Sequence, residues 1–256
     1  MRYAIIAAGE GSRLQQEGIE SPKPLVKING EHLIDRLLRI FMANDAEEIV
    51  VICRSVMQDV VSHLAHIQQE GLDGKPVPLR FIERNTPSSM HSFYELSKEF
   101  TTDGSHFPFV LTTVDTIFRD EEFGNYIAAL KQVLAAGEDG LMGVTDYIDD
   151  EKPLYVETVS GASDKDKEQE ASQWPRITGF LDTCEHPHFI SGGIYGLTTR
   201  AITTLNACIE RGESRMRNFQ RALVRDGLQL RAYPFTKVLD IDHASDILKA
   251  EEFLRK

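Results

Sequence analysis

Short apolar runs alternate with amphipathic stretches along the first half of this chain. Residues 3–8 (YAIIAA), 48–53 (EIVVIC), 78–83 (PLRFIE), 107–114 (FPFVLTTV) and 140–144 (GLMGV) read as strands, whereas 32–44, 56–69, 89–100 and 121–136 carry apolar residues at helical spacing. A β-α-β-α succession of this kind predicts a largely parallel sheet covered on both faces. Beyond residue 146 the pattern changes. Longer strand-like segments appear at 154–160, 176–182 and 189–197, and two helices follow at 199–211 and 217–227. A strand pair, 228–235 and 237–241, and a closing helix from 244 complete the pattern. The polar stretch SDKDKEQEASQ at 163–173 reads as a solvated loop. No repeat and no linker divides the chain. A single α/β domain is expected, with residues 1–145 as one half and 146–256 as a subdomain grown onto the same sheet.

Composition narrows the function. At 256 residues and 41% apolar content the chain suits one sizeable core. No apolar run approaches the ~20 residues of a membrane span, and the apolar stretch 3–8 is too short for a signal-peptide core. A cytoplasmic protein without membrane contact is expected. Cys53, Cys184 and Cys208 are too few and too scattered for a disulfide framework or a zinc site, so they read as idle or buried thiols. The net charge of -12 disfavours nucleic acid as a partner. Residues 1–40 escape that acidic bias, with six Lys/Arg against five Asp/Glu.

That same segment carries the first candidate chemistry. The first strand runs into GEGSR at 9–13, and PKPL follows at 22–25. At the carboxyl end of a strand, glycines expose backbone N–H groups to a phosphate, and an arginine adds a forked, permanently charged donor set. The dinucleotide fingerprint is disfavoured because its third glycine is replaced by Leu14 and the second strand ends without an acid. A P-loop is excluded for want of its Gly-Lys-Ser/Thr.

The pairing of AIIAAGEGSRL with SPKPLVKINGEHLIDRLL resembles the opening of the sugar-phosphate nucleotidyltransferases. Weaker likeness continues through VDT at 114–116, SGGIYGL at 191–197 and DIDHASDILKAEEFL at 240–254. The resemblance implies a Rossmann-like three-layer α/β/α domain with a mixed central sheet, of the nucleotide-diphospho-sugar transferase type. It also implies Mg2+-dependent attack of a phosphorylated acceptor on the α-phosphorus of an NTP, with loss of pyrophosphate. Carried over, Ala8, Gly9, Gly11 and Ser12 belong to the phosphate loop, Arg13 holds the leaving β,γ end, and Lys23 neutralises the α-phosphoryl oxygens. Lys23, set between Pro22 and Pro24, is expected on extended backbone. Lys27 is left as a surface residue.

For Mg2+ the resemblance points to Asp115 at a strand end, and to Asp240 or Asp242, which share one side of an extended segment. Asp240 is the preferred second ligand, Asp242 is divided between ligand and helix cap, and Asp246 reads as structural. Ser88 and Ser89, with the backbone near Thr86 and Pro87, are candidates for reading the base, against a plain serine-capped helix start. Gly192 and Gly193 are candidates for lining the acceptor pocket, with Tyr195 divided between pocket and core. The family's Glu-Lys-Pro is here Glu185-His186-Pro187. Either His188, His186 or Arg176 replaces the missing lysine, or the acceptor is not an ordinary sugar 1-phosphate.

A sugar 1-phosphate is the leading acceptor, and phosphocholine or another phosphorylated alcohol is the near alternative. Two rivals stand beside it: a glycosyltransferase using a finished nucleotide-sugar, and a non-catalytic nucleotide sensor. At this length the acyltransferase repeat of bifunctional members is not expected. A homo-oligomer stays open.

Overall fold

The computed structural model describes residues 1–100, 107–149, 152–159 and 173–255; most of the charged stretch 163–173 lies outside them. The chain opens with β1 (Arg2–Ala7), α1 (Ser12–Gln16), a 3₁₀ turn (Lys23–Leu25), β2 (Lys27–Ile28), β3 (Glu31–His32) and α2 (Leu33–Met42). It continues with β4 (Glu48–Cys53), α3 (Gln58–Glu70), β5 (Leu79–Glu83), α4 (Ser89–Glu99), β6 (Phe109–Thr113), β7 (Thr116–Ile117), α5 (Asp120–Ala135) and β8 (Gly140–Thr145). The second half adds β9 (Tyr155–Val159), β10 (Arg176–Leu181), β11 (Phe189–Leu197), α6 (Arg200–Glu210), α7 (Met216–Arg225), β12 (Leu230–Phe235), β13 (Leu239–Asp240) and α8 (Ala244–Leu254).

Nine strands join in the order β5-β4-β1-β6-β11-β8-β12-β10-β9. The first four are mutually parallel, with Ile5 flanked by Val51 and Thr112. β11 then runs antiparallel to both β6 and β8, so the sheet is mixed. The two segments read as a strand pair are not neighbours. β12 pairs with β8 and β10, while β13 leaves the sheet and pairs with β7, opposing Asp240 to Thr116. The turn between them re-aims the chain toward the end of β6, which is what places Asp240 and Asp242.

Side chains alternate along β1. Tyr3, Ile5 and Ala7 pack with α2, α3, α5 and α8 on one face, and Ala4 and Ile6 pack with α4, α6 and α7 on the other. Each fully buried Leu, Ile or Phe in these clusters contributes about 1.5–3 kcal/mol of transfer free energy, so the sheet is fixed from both sides. Burial pushes the thiols of Cys53 and Cys208 up to about 11, in keeping with idle cysteines. Among the described residues no helix is long and apolar enough to cross a membrane.

Candidate functional site

The loop after β1 reverses into α1 through Gly11, which sits in the left-handed region at φ 64° and caps the helix without a side chain. A Cβ there would lie 3.4 Å from the Cβ of Lys23, so the glycine also lets the PKPL turn close against the loop. Lys23 is not on extended backbone. Pro22 is extended at φ -54° and ψ 142°, and Lys23 opens the 3₁₀ turn. Backbone bonds from Leu25 N to Pro22 O at 2.8 Å and from Val26 N to Lys23 O at 3.1 Å draw it into that turn, overriding the preference a following proline imposes.

The Lys23 side chain is the centre of the site. It is only 8% exposed, and its Nζ donates to Asp115 Oδ2 and, at 2.8 Å, to Asp242 Oδ1. Arg13 Nη1 donates to the other oxygen of Asp242 at 3.1 Å. Burial pulls the Lys23 ammonium toward neutrality, but the two carboxylates outweigh it and hold its pKa well above the ordinary lysine value. Backbone bonds set this geometry. Val114 N donates to Ile6 O at 3.0 Å and Ile241 N to Asp115 O at 3.2 Å, tying the turn after β6 to β1 on one side and to β13 on the other.

Asp240 is exposed on β13 and borders a cavity that also reaches Arg13 and Gly192; Asp242 shares the Lys23 ammonium with Asp115. Nor does Asp242 cap α8. His243 is the N-cap, and Asp246 Oδ2 accepts from His243 N at 2.8 Å and Asp242 N at 3.2 Å, which frees the Asp242 carboxylate for the lysine. Glu17, just past α1, accepts from His243 Nδ1 at 2.6 Å and from Ala244 N at 2.7 Å. The last helix is thereby fastened to the first loop.

Two cavities flank this cluster. One of about 330 Å³ is bordered by Ala8, Gly9, Lys23, Arg54, Ser88 and Asp115. No atom lies within 4 Å of a Cβ built on Gly9, so that backbone faces open space. Ser88 is both cap and lining: its Oγ accepts from His91 N at 3.3 Å and starts α4, and Ser89 follows it at the cavity wall. Arg54, at the end of β4, is a cation on this wall that no sequence motif marks.

The second cavity, about 410 Å³, holds Arg13, Tyr147, Lys152, Gly192, Arg217 and Asp240 on its walls. Here β11 carries an irregularity against β8 between Ser191 and Ile194. Gly193 turns to φ 69°, and a Cβ on Gly192 would press on Gly143 O at 3.1 Å, so both glycines are required by the bulge. Only Gly192 reaches the cavity. Tyr195 is core, with Gln220 Nε2 donating to its hydroxyl at 3.4 Å. His186, His188 and Arg176 are exposed and outside this cavity's wall, whereas Lys152, Arg217 and Lys249 are on it. Ser12 is exposed at the start of α1 and lines neither cavity.

A glycine-bearing loop after β1, a buried lysine held by two acids near strand ends, and a cavity on either side of that cluster make up the architecture expected of a nucleotidyltransferase. Residues 3–225 match the MobA-like NTP transferase domain, and the chain belongs to that family. The matched region stops short of Asp240 and Asp242. Among curated relatives, the glucose-1-phosphate cytidylyltransferase of Salmonella typhimurium (strain LT2) is 30% identical over 53 residues, which is 21% of this chain and 21% of that protein.

Solved structures share the fold along nearly the whole length. The inositol-1-phosphate CTP transferase from T. maritima superposes at a TM-score of 0.69 with 18% identity, covering 99% of this chain and 97% of that one. A putative glucose-1-phosphate thymidylyltransferase from Bacillus anthracis, in complex with sucrose, reaches 0.76 with 18% identity over 100% and 96%. The UTP-bound UGPase from Acinetobacter baumannii reaches 0.73 with 15% identity over 98% and 92%.

Proposed function

We propose that this chain moves an NMP unit from an NTP onto a phosphorylated small molecule, releasing pyrophosphate, within a single three-layer Rossmann-like domain whose halves are residues 1–145 and 146–256. The observation that carries the reading is Lys23, buried and charged between Asp115 on the wall of one cavity and Asp242 on the wall of the other. The triphosphate occupies the cavity of Gly9 and Ser88, and the acceptor occupies that of Gly192 and Arg217. Membership of the nucleotidyltransferase family and the absence of a spanning helix among the described residues support a cytoplasmic setting.

An acceptor phosphate oxygen forms a bond to the α-phosphorus while the bond to the bridging oxygen breaks, and pyrophosphate leaves with that electron pair. The attacking group is already an anion, so no side chain needs to take a proton. The obstacle is charge. Lys23 meets the negative charge gathering on the α-phosphoryl oxygens, the Gly9–Gly11 backbone receives the phosphates, and Arg13 steadies the departing end. Two carboxylates already converge on one cation here, and such hard oxygen donors suit Mg2+. Asp115 and Asp242 would hold the ion, with Asp240 beside them, and when bound it supplies neutralising charge to the phosphates.

A sugar 1-phosphate leads as acceptor. A phosphorylated cationic alcohol is the second reading, favoured by the Tyr147 ring on the acceptor wall, over which Lys237 Nζ already lies at 3.9 Å, with Asp149 nearby. The test is a pyrophosphate-release assay, run with each NTP against both acceptor classes with Mg2+. Release that requires one NTP and one acceptor class supports the reading. Triphosphate binding without turnover on any acceptor would support a nucleotide sensor instead.

A further inference from the structure

Away from the lysine cluster, three side chains from three elements converge on one point. Asp35, in the first turn of α2, has one carboxylate oxygen 2.9 Å from His32 Nδ1 on β3 and the other 2.6 Å from His63 Nε2 on α3. The imidazoles stand edge to face, 5.0 Å between centroids at 83°. The three donor atoms lie within 4.8 Å of one another, and all three residues are partly open to solvent. None of them lines either cavity of the candidate active site.

We propose that His32, Asp35 and His63 bind one divalent transition-metal ion, with Zn2+ the ion their chemistry fits. Two imidazole nitrogens and one carboxylate are a donor set that zinc accepts with a fourth position left to water. Mg2+ prefers oxygen alone, so this site and the Asp115/Asp242 pair differ in the metal they select. Donors on a tetrahedral zinc with bonds of about 2.0–2.1 Å sit roughly 3.3 Å apart. The present spacings of 2.6 and 2.9 Å, made to different oxygens of Asp35, therefore need to open by about 0.4–0.7 Å, while donor atoms now up to 4.8 Å apart close toward the same spacing. On binding, each neutral imidazole presents a lone pair where it now faces the carboxylate, and its ring proton moves to the other nitrogen. The pair of hydrogen bonds to Asp35 is replaced by a chelate that joins α3 to the β3–α2 junction.

The decisive experiment is calorimetric titration of the untagged, chelator-treated full chain with Zn2+. Parallel titrations use His63→Gln and the double variant D115N/D242N. One equivalent per chain is expected, weakened at least about tenfold in H63Q, a loss of about 1.4 kcal/mol, and kept in the double variant. No uptake, or uptake that H63Q leaves unchanged and D115N/D242N removes, overturns the proposal. Should H63Q fail to fold, the wild-type chain decides the matter through acylation of histidines by diethyl pyrocarbonate, read by mass spectrometry. Zinc should shield His32 and His63 while His186 and His188 label as before; equal labelling of all four with and without zinc overturns the proposal.

Discussion

The two cavities are built in different ways. The one bordered by Gly9 and Ser88 is assembled at the ends of parallel strands, from the loop after β1, Arg54 after β4 and Asp115 after β6. Parallel strands deliver their carboxyl ends to one edge, so knowing the strands is nearly enough to know which loops meet. The cavity around Gly192 is assembled where β11 reverses direction and bulges, with pieces drawn from residues 145 to 249 and from Arg13 at the far end of the chain. There the meeting of side chains depends on pairing and register, which local pattern does not carry.

The sharpest way to break this comparison is at the ion cluster that lies between the cavities. Lys23→Gln should keep the fold, checked by circular dichroism, and lower pyrophosphate release by about 10²–10³-fold, the scale of losing one fixed charge-stabilising donor. Unchanged turnover would remove Lys23 from the chemistry. Next in size is the contrast between two acids. Asp242→Asn should raise the Mg2+ concentration needed for half-maximal turnover by about tenfold or more, whereas Asp240→Asn should act chiefly on the acceptor KM; equal effects in Mg2+ titrations would restore Asp240 as an equal ligand.

A third contrast lies within the second cavity. Arg217→Ala should raise the acceptor KM about tenfold and leave the NTP KM alone, while His188→Ala should change neither, as judged by steady-state kinetics with each substrate varied. On the structural side, Gly196→Ala puts a Cβ 2.5 Å from the Tyr126 hydroxyl and 2.6 Å from Leu130. It should cost about 1–3 kcal/mol in denaturant unfolding.

The smallest effect is that of Glu17 and His243, both at the surface. The hydrogen bond to Glu17 raises the His243 pKa, so its contribution to stability is full below about pH 6.5 and fades as pH rises through the folded value. Glu17 is lowered by the same hydrogen bond, so its contribution holds above the ordinary glutamate range and fades as pH falls through its own folded value. Melting curves of His243→Ala should lie closest to wild type at alkaline pH.

Much of the first half is legible in the sequence. The apolar run 48–53 coincides with β4 to the residue, and the patterns for β1 and α4 agree to within a position at either end, because alternating and helical periods are local properties. The segment 189–197 coincides with β11 as well, yet nothing in it announces the bulge. The 3₁₀ turn at Lys23 and the pairing of β13 with β7 escape such a reading because each is decided by hydrogen bonds that neighbouring residues do not announce. In the site, Arg13, Lys23, Asp115 and Asp242 are reachable by motif. Arg217 has a fainter signal: Arg217 and Arg221, one helical turn apart, both reach Asp182. Arg54 has only its place at a strand end, and Lys152 and Lys249 have none.

The contact between Lys23 and Asp242 spans 219 positions of the chain. A ribosome adding roughly 5–20 residues per second completes the glycine loop and its lysine on the order of ten seconds before that aspartate exists. During that interval the nascent chain carries the glycine loop and the lysine without the full pair of acids that hold it. The molecule is therefore timed by its own topology: its charge cluster cannot close until translation has passed β13.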